Sequence, residues 1–157
     1  DMVTIDIARA DVTVGAPSVR VSSAGLVERW LRESSRLDDG SDVFRRGMAA
    51  LDGILAALRP ATTVLLPNYP NPFNPETWIP FDLSEAADVT VRVYDIRGRE
   101  VRRLALGYVD AGAYRSRSDA VHWDGRNEIG ESVASGVYLY ELRAGKFVEA
   151  RRMVIRK

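Results

Sequence analysis

The chain has 157 residues, of which 46% are hydrophobic, and its 22 Lys and Arg residues are balanced by 22 Asp and Glu residues. This composition predicts a packed core, and the neutral balance argues against a nucleic-acid-binding surface or a basic membrane anchor. Because the chain contains no cysteine, disulfides, zinc–thiolate sites and thiol nucleophiles are excluded. The first residue is Asp1 rather than Met, which predicts a piece of a longer protein whose upstream part would carry any export signal.

The first predicted unit covers residues 1–22. Apolar and polar side chains alternate there, as at Val3, Ile5 and Ile7. A period of two is typical of a half-buried strand, although the first ten residues also fit the tail of a helix. We interpret residues 1–22 as a β-like segment at the end of an upstream domain.

Residues 23–59 predict a helical hairpin. Two apolar stripes with helical spacing are separated by the turn residues 38–40. Ser41 is placed to cap the second helix, whose apolar face runs from Val43 towards its end just before Pro60. We expect the hairpin to pack on the following domain or on an upstream one, and a partner-binding helix pair is the alternative.

Residues 60–80 form a proline-rich strap. Five of the seven prolines lie within residues 67–80, and proline favours extended backbone without donating a hydrogen bond. Tyr69, Phe73 and Trp78 supply apolar anchors that a flexible linker would not need. The strap is therefore expected to be ordered.

Residues 77–157 predict a run of short strands separated by turns. Period-two alternation and regularly spaced turn residues are typical of an antiparallel β-sandwich. The predicted strands cover residues 77–83, 88–95, 100–106, 112–115, 120–124, 136–143 and 147–155. The side chains expected to be mostly buried are Val89, Val91, Val93, Trp123, Tyr138, Tyr140 and Leu142.

Five sequence blocks in this region carry a family resemblance. LPNYPNPFNPET at residues 66–77 resembles the opening motif of type IX secretion C-terminal sorting domains of type A. VYDIRGREV at 93–101 resembles the central hairpin of that family, and WDGRNEIG at 123–130 resembles its WDG turn. ASGVYLY at 134–140 and MVIRK at 153–157 resemble its last two strands. The blocks are shared with the immunoglobulin-like domain of flagellar hook-capping proteins.

The resemblance implies a mainly β fold, an immunoglobulin-like antiparallel β-sandwich over residues 77–157, here preceded by the helical hairpin and the short β-like segment. It implies a secreted module at the outer cell surface, whose partners are the outer-membrane secretion machinery and an upstream cargo domain of the same precursor. The residues that match the sorting motif are Asn68, Pro70, Asn71, Pro72, Phe73, Asn74, Pro75, Tyr94, Asp95, Gly98, Trp123, Asp124, Gly125, Ser135, Gly136, Tyr138, Arg152, Met153, Arg156 and Lys157.

The sequence shows no catalytic pattern. His122 is the only histidine, and on its predicted strand it faces away from the side of Trp123. No serine lies in a G-x-S-x-G elbow. Asp124, Asn127 and Glu128 could be cation ligands, but loops of this composition are more often plain turns. We predict no enzyme activity, no cofactor, no metal, no nucleic acid and no small-molecule substrate.

Two interpretations remain open for the basic chain end and for the strap. Arg151, Arg152, Arg156 and Lys157 either protect a solvated edge strand or are recognised by an export receptor. The strap asparagines either close one edge of the sandwich or form a docking face.

Three functions are compatible with the sequence. The leading hypothesis is a non-catalytic sorting and anchoring module that directs a larger secreted bacterial protein across the outer membrane to the cell surface. The alternative is a structural immunoglobulin-like assembly or spacer module of a surface filament or hook-cap-like scaffold. A carbohydrate-binding sandwich is the third, and it would need aromatic side chains on an exposed face.

Overall fold

The computed structural model describes residues 23–37 and 40–157. The predicted β-like segment at residues 1–22 lies outside the described residues. In the described part of the chain, no helix has the length and apolar character needed to span a membrane.

Two helices open the described chain. Helix α1 covers Ser23–Ser34 and continues into one 3₁₀ turn at Ser35–Leu37, and helix α2 covers Asp42–Leu58. Ser41 caps α2 as predicted, because its hydroxyl accepts a hydrogen bond from the backbone N–H of Phe44 at 3.1 Å.

The two helices bury a small core of their own. Leu31 and Leu55 are buried, and Val27, Met48 and Leu51 pack around them. This cluster is separate from the larger core of the strands. Val43, Ile54 and Leu58 of α2 are exposed, so the apolar face of α2 is shorter than the sequence pattern predicted.

Nine strands follow, and they form two layers around one core. Their bounds are β1 Val64–Leu65, β2 Thr77–Ile79, β3 Phe81–Leu83, β4 Ala87–Asp95, β5 Glu100–Val109, β6 Gly112–Tyr114, β7 Val121–Trp123, β8 Gly136–Ala144 and β9 Phe147–Ile155. One layer is the four-stranded sheet β5-β4-β8-β9, and the other contains β1-β3-β6 and β2-β7. All the strand pairs are antiparallel, which confirms the predicted mainly β sandwich.

The second layer differs from the prediction at residues 77–83. The single expected strand is wrong, because Pro80 divides it into β2 and β3, which pair with β7 and β6 respectively. Proline has no N–H to donate to a ladder. The second layer therefore consists of two hydrogen-bonded groups rather than one continuous sheet.

The core contains the side chains that the alternation predicted. Val89, Val91 and Val93 are at most 1% exposed, and Trp123 is 1% exposed. Tyr138, Tyr140 and Leu142 on β8 are also buried. Period-two alternation places these residues on the inner face, because successive side chains of a strand point to opposite sides of its sheet.

Candidate interaction surface

The strap lies along the C-terminal end of β9. Phe73 forms a parallel bridge with Ile155, its N–H donates to the carbonyl of Val154 at 3.0 Å, and its carbonyl accepts from the N–H of Arg156 at 2.9 Å. The side-chain oxygen of Asn71 accepts a hydrogen bond from the N–H of Val154 at 2.9 Å. The strap therefore occupies the backbone hydrogen-bonding groups of the last residues of the chain.

The middle of β9 is shielded by β1 through side chains. The carboxylate of Glu149 accepts from the N–H of Leu65 at 3.2 Å, and the guanidinium of Arg151 donates to the Leu65 carbonyl at 2.7 Å. The basic last strand is thus not a solvated edge along its whole length.

Asn68 attaches the beginning of the strap to the core. Its N–H donates to the hydroxyl of Tyr140 at 3.0 Å, and that hydroxyl donates to the carbonyl of Leu66 at 3.0 Å. The Asn68 amide donates to Thr77 Oγ1 at 2.9 Å and to the Pro70 carbonyl at 3.3 Å. Burial raises the pKa of Tyr140, so the phenol stays protonated and available as a donor.

The WDG turn follows β7. The ring of Trp123 lies 5.6 Å from that of Phe73 and 5.9 Å from that of Tyr138, measured between centroids. The indole N–H donates to the carbonyl of Arg126 at 2.9 Å. Asp124 accepts from the N–H of Arg126 at 3.1 Å, as expected for a carboxylate that stabilises a turn.

Gly125 lies where the strap, the WDG turn and the last strand meet. Its φ is 70°, in the left-handed region. A Cβ atom at this position would lie 2.5 Å from the carbonyl oxygen of Pro75 and 3.2 Å from Cδ1 of Ile155. The backbone of Pro75 can approach this closely because the residue is glycine.

The β4–β5 hairpin reaches the same end of the sandwich. Asp95 accepts from the N–H groups of Arg99 and Arg97 at 3.0 and 2.9 Å. The backbone hydrogen bond from Arg99 is the largest cause that lowers the pKa of Asp95. Asp95 pairs in register with Tyr138, and burial together with the Asp95 charge raises the pKa of that tyrosine. Gly98, in the turn of this hairpin, has a φ of 78°, a conformation that glycine adopts without strain.

The last residues combine a buried anchor with exposed cations. The N–H of Lys157 donates to Ser135 Oγ at 3.0 Å. Met153 is fully buried, whereas the side chains of Arg152 and Arg156 are exposed. The chain end is therefore attached to the residues preceding β8 and still presents positive charge.

Other motif residues differ in exposure. Pro70, Pro72, Asn74 and Pro75 are exposed. Asn74 makes no side-chain hydrogen bond to any described residue, in contrast to the other two strap asparagines. Tyr94 is half-buried on the outer face of β4, and Gly136 opens β8 opposite the last residue of β9.

The oxygens considered as cation ligands are used by backbone groups. Asn127 Oδ1 accepts from the N–H groups of Ile129 and Glu131 at 3.1 and 2.8 Å, and Glu128 accepts from the N–H of Arg103 at 2.6 Å. Among residues 23–37 and 40–157, no group of three or more His, Asp or Glu side chains could hold a metal ion. The geometry favours the turn interpretation.

Sequence reasoning missed one surface cluster, on the outer face of β2 and β7. The ring of Trp78 lies 6.3 Å from that of Tyr69 and 5.3 Å from that of His122, and the guanidinium of Arg117 lies 4.3 Å from the Trp78 centroid. His122 Nε2 is 2.8 Å from the Glu76 carboxylate. Alternation on β7 predicted that His122 faces outward. The rings come together only because β2 pairs both with the strap at Tyr69 and with the distant strand β7.

Comparison with known proteins identifies the class of the sandwich. The family model of the FlgD Ig-like domain matches residues 73–146. Together with the antiparallel two-layer architecture, this match makes the sandwich an immunoglobulin-like domain. A comparison with curated proteins found no match.

Three solved structures are similar to this chain. PorU from Porphyromonas gingivalis, solved as a latent dimer, has 23% identity and a TM-score of 0.43 over 61% of this chain and 10% of its own. PorZ from the same organism, described as a surface component of the type IX secretion system, has 22% identity and a TM-score of 0.41 over 60% of this chain and 11% of its own. FlgD from P. aeruginosa has 27% identity and a TM-score of 0.36 over 46% of this chain and 52% of its own. The chain thus spans about a tenth of the length of PorU and PorZ and about half that of FlgD.

Proposed function

We infer that residues 64–157 form a non-catalytic C-terminal sorting module of type A, which directs a larger secreted bacterial protein across the outer membrane to the cell surface. The upstream cargo domain of the same precursor and the outer-membrane secretion machinery are its partners. Recognition is by binding and involves no covalent step.

The observation that carries this proposal is the convergence of the five family-like blocks at one end of the sandwich. Gly125 of the WDG turn lies so close to the strap and the last strand that an added Cβ atom would be 2.5 Å from the Pro75 oxygen and 3.2 Å from Cδ1 of Ile155. Trp123 packs on Phe73 of the strap and on Tyr138 of the penultimate strand. Blocks that are separated by up to about 80 residues therefore form one structural unit, as a recognition signal read in the folded state requires.

The test is export of a passenger in a host that has a type IX system. A passenger fused to the whole chain should reach the cell surface. Removal of Arg151–Lys157 should leave it in the periplasm, but this deletion also removes the groups that hold the strap. A milder variant therefore changes Arg152, Arg156 and Lys157 to Gln, which keeps the strand and removes three charges.

The expected result is surface display of the intact fusion and periplasmic retention of the Gln variant with an unchanged thermal unfolding midpoint. If the intact fusion never leaves the periplasm of such a host, the sorting proposal fails.

A second candidate is a structural assembly or spacer module. The match of residues 73–146 to the FlgD Ig-like domain supports it, because that family is a structural one. Repeated copies of this domain in the precursor, or self-association of the purified chain, would support the spacer in place of the sorting module.

A further inference from the structure

The open part of the last two strands is their outer face rather than their edge. The strap takes the backbone groups of Val154 and Arg156, and Leu65 is bonded to the side chains of Glu149 and Arg151 farther along the edge. A partner strand cannot extend the sheet at the C-terminal end of β9, since the backbone groups that it would pair with are already in use. Recognition there must use side chains on the face of the sheet.

That face carries a compact group of apolar and cationic side chains. Tyr94 pairs in register with Leu139, and Leu139 with Arg152. Val137 is in register with Val154 in the adjacent row, and Arg156 follows two residues later. We call the surface formed by Tyr94, Val137, Leu139, Arg152, Val154 and Arg156 the Leu139 patch.

The patch is apolar at its centre and accessible to solvent. Leu139 is 41% exposed and Val137 39% exposed, whereas Tyr138 and Tyr140 on either side of Leu139 point into the core. These exposed aliphatic side chains keep apolar area in water that a bound partner would remove. Tyrosine and arginine are enriched at the energetic centres of protein interfaces.

The charges of the patch have one sign. Neither Arg152 nor Arg156 forms an ion pair with any residue that the structure describes. The carboxylates nearest the patch lie at its Tyr94 side, where Glu141 accepts from the Tyr94 hydroxyl at 3.5 Å and Glu100 is in register with Tyr94. On the same face, by contrast, Arg143 is paired with Glu141 at 2.6 Å and Arg103 with Glu100 at 3.0 Å. Two unpaired guanidinium groups beside an apolar centre complement carboxylates that flank apolar side chains.

The size of the patch limits the partner. The patch spans about three strands and about four residues along each. With strands about 4.8 Å apart and a rise of about 3.3 Å per residue, its area is roughly 200 Å². This is well below the ~800 Å² per partner of a stable complex, and it suits a short segment. Two cations are also too few for a nucleic acid, whose binding involves many phosphate contacts.

We propose that the Leu139 patch docks a short acidic segment of a partner protein, with apolar side chains over Leu139 and Val137 and carboxylates at Arg152 and Arg156. The proposal rests on the sorting function and names the chemistry of the partner that the module binds. Docking of this kind is transient, as transport through a secretion system requires.

The test compares four full-length variants in the same passenger-export experiment. Leu139→Glu and Arg152→Glu place carboxylates in the patch, and each should lower surface display at least about tenfold. Val43→Glu and Arg46→Glu likewise replace an aliphatic residue and an arginine by glutamate, at exposed positions of α2, and should export like the intact chain. Thermal unfolding of each purified chain checks the fold, and Arg152→Glu carries the test if Leu139→Glu is unstable.

Several outcomes would overturn the proposal. If the intact chain and all four variants are exported equally, the patch is not a docking site and the sorting function stands. If the intact chain is not exported, the sorting function fails and the docking proposal fails with it. A purified dimer that Leu139→Glu dissociates would make the patch a contact between copies of this chain. Arg152-dependent binding to vesicles of phosphatidylglycerol and phosphatidylcholine would make it a lipid-headgroup site.

Discussion

The backbone of Gly125 lies against the carbonyl group of Pro75, at a distance where a Cβ atom would be 2.5 Å from the Pro75 oxygen. This close approach joins the WDG turn to the strap. Ile155 of the last strand lies near the same glycine, since its Cδ1 would be 3.2 Å from the added Cβ. Position 125 requires glycine for two reasons: its φ is positive, and the Pro75 carbonyl leaves no room for a Cβ atom.

Gly125→Ala should therefore destabilise the protein more than an ordinary turn substitution. Gly98 is the matched control, because its φ of 78° is similar but an added Cβ would meet nothing within 4 Å. Gly98→Ala should cost about 1–2 kcal/mol for the left-handed backbone, and Gly125→Ala should cost about 1–3 kcal/mol more for the steric overlap. Urea unfolding measures both, and equal losses would contradict the close-contact argument.

Asn71 and Asn74 should behave differently although they occupy similar places in the strap motif. Asn71→Ala removes the acceptor of the Val154 N–H and should cost about 0.5–1.5 kcal/mol. Asn74→Ala should stay within about 0.5 kcal/mol. Hydrogen exchange provides a local measurement, because the Val154 amide should lose protection only in Asn71→Ala. Loss of Val154 protection in both variants would contradict this prediction, because it would show that either substitution loosens the whole strap.

Asp95 should make part of the stability depend on pH. Hydrogen bonds from Arg99 and Arg97 lower its pKa in the folded state. A depressed folded pKa gives stability that is present above the unfolded pKa of about 3.9 and is lost as the pH falls through the folded value. The free energy of unfolding of Asp95→Asn should therefore fall less than that of the natural chain between about pH 5 and pH 2.

Denaturant unfolding at several pH values measures this difference. Asp52→Asn, at an exposed position of α2, controls for the loss of one charge. If the free energy of unfolding depends on pH in the same way for the natural chain and for Asp95→Asn, Asp95 is not the source of the pH dependence.

A fragment of residues 64–157 should fold without the helices. The core of the strands does not include Leu31 or Leu55, which form a separate cluster. Near the sandwich, α1 lies against Asp110 through Gly25, which is a small contact. Circular dichroism of the fragment should show a β-sheet spectrum with a cooperative thermal transition. An unfolded fragment beside a folded full chain would show that the division at residue 60 is wrong.

The amino-acid sequence by itself determined the inner faces of the long strands. Val89, Val91 and Val93 alternate with polar residues, and burial follows from that period because a strand presents alternate side chains to one side. The turn glycine at position 98 and the cap at Ser41 were also predictable, since each depends on local backbone geometry.

Only the tertiary structure decided which distant segments meet. The contact of Phe73 with Ile155 and the approach of Gly125 to Pro75 join parts of the chain whose separation leaves no local pattern. The same is true of the unpaired cations beside Leu139. The local sequence pattern determines which side of a strand is apolar. Which segments pair across a sheet edge depends on packing and loop closure over the whole domain.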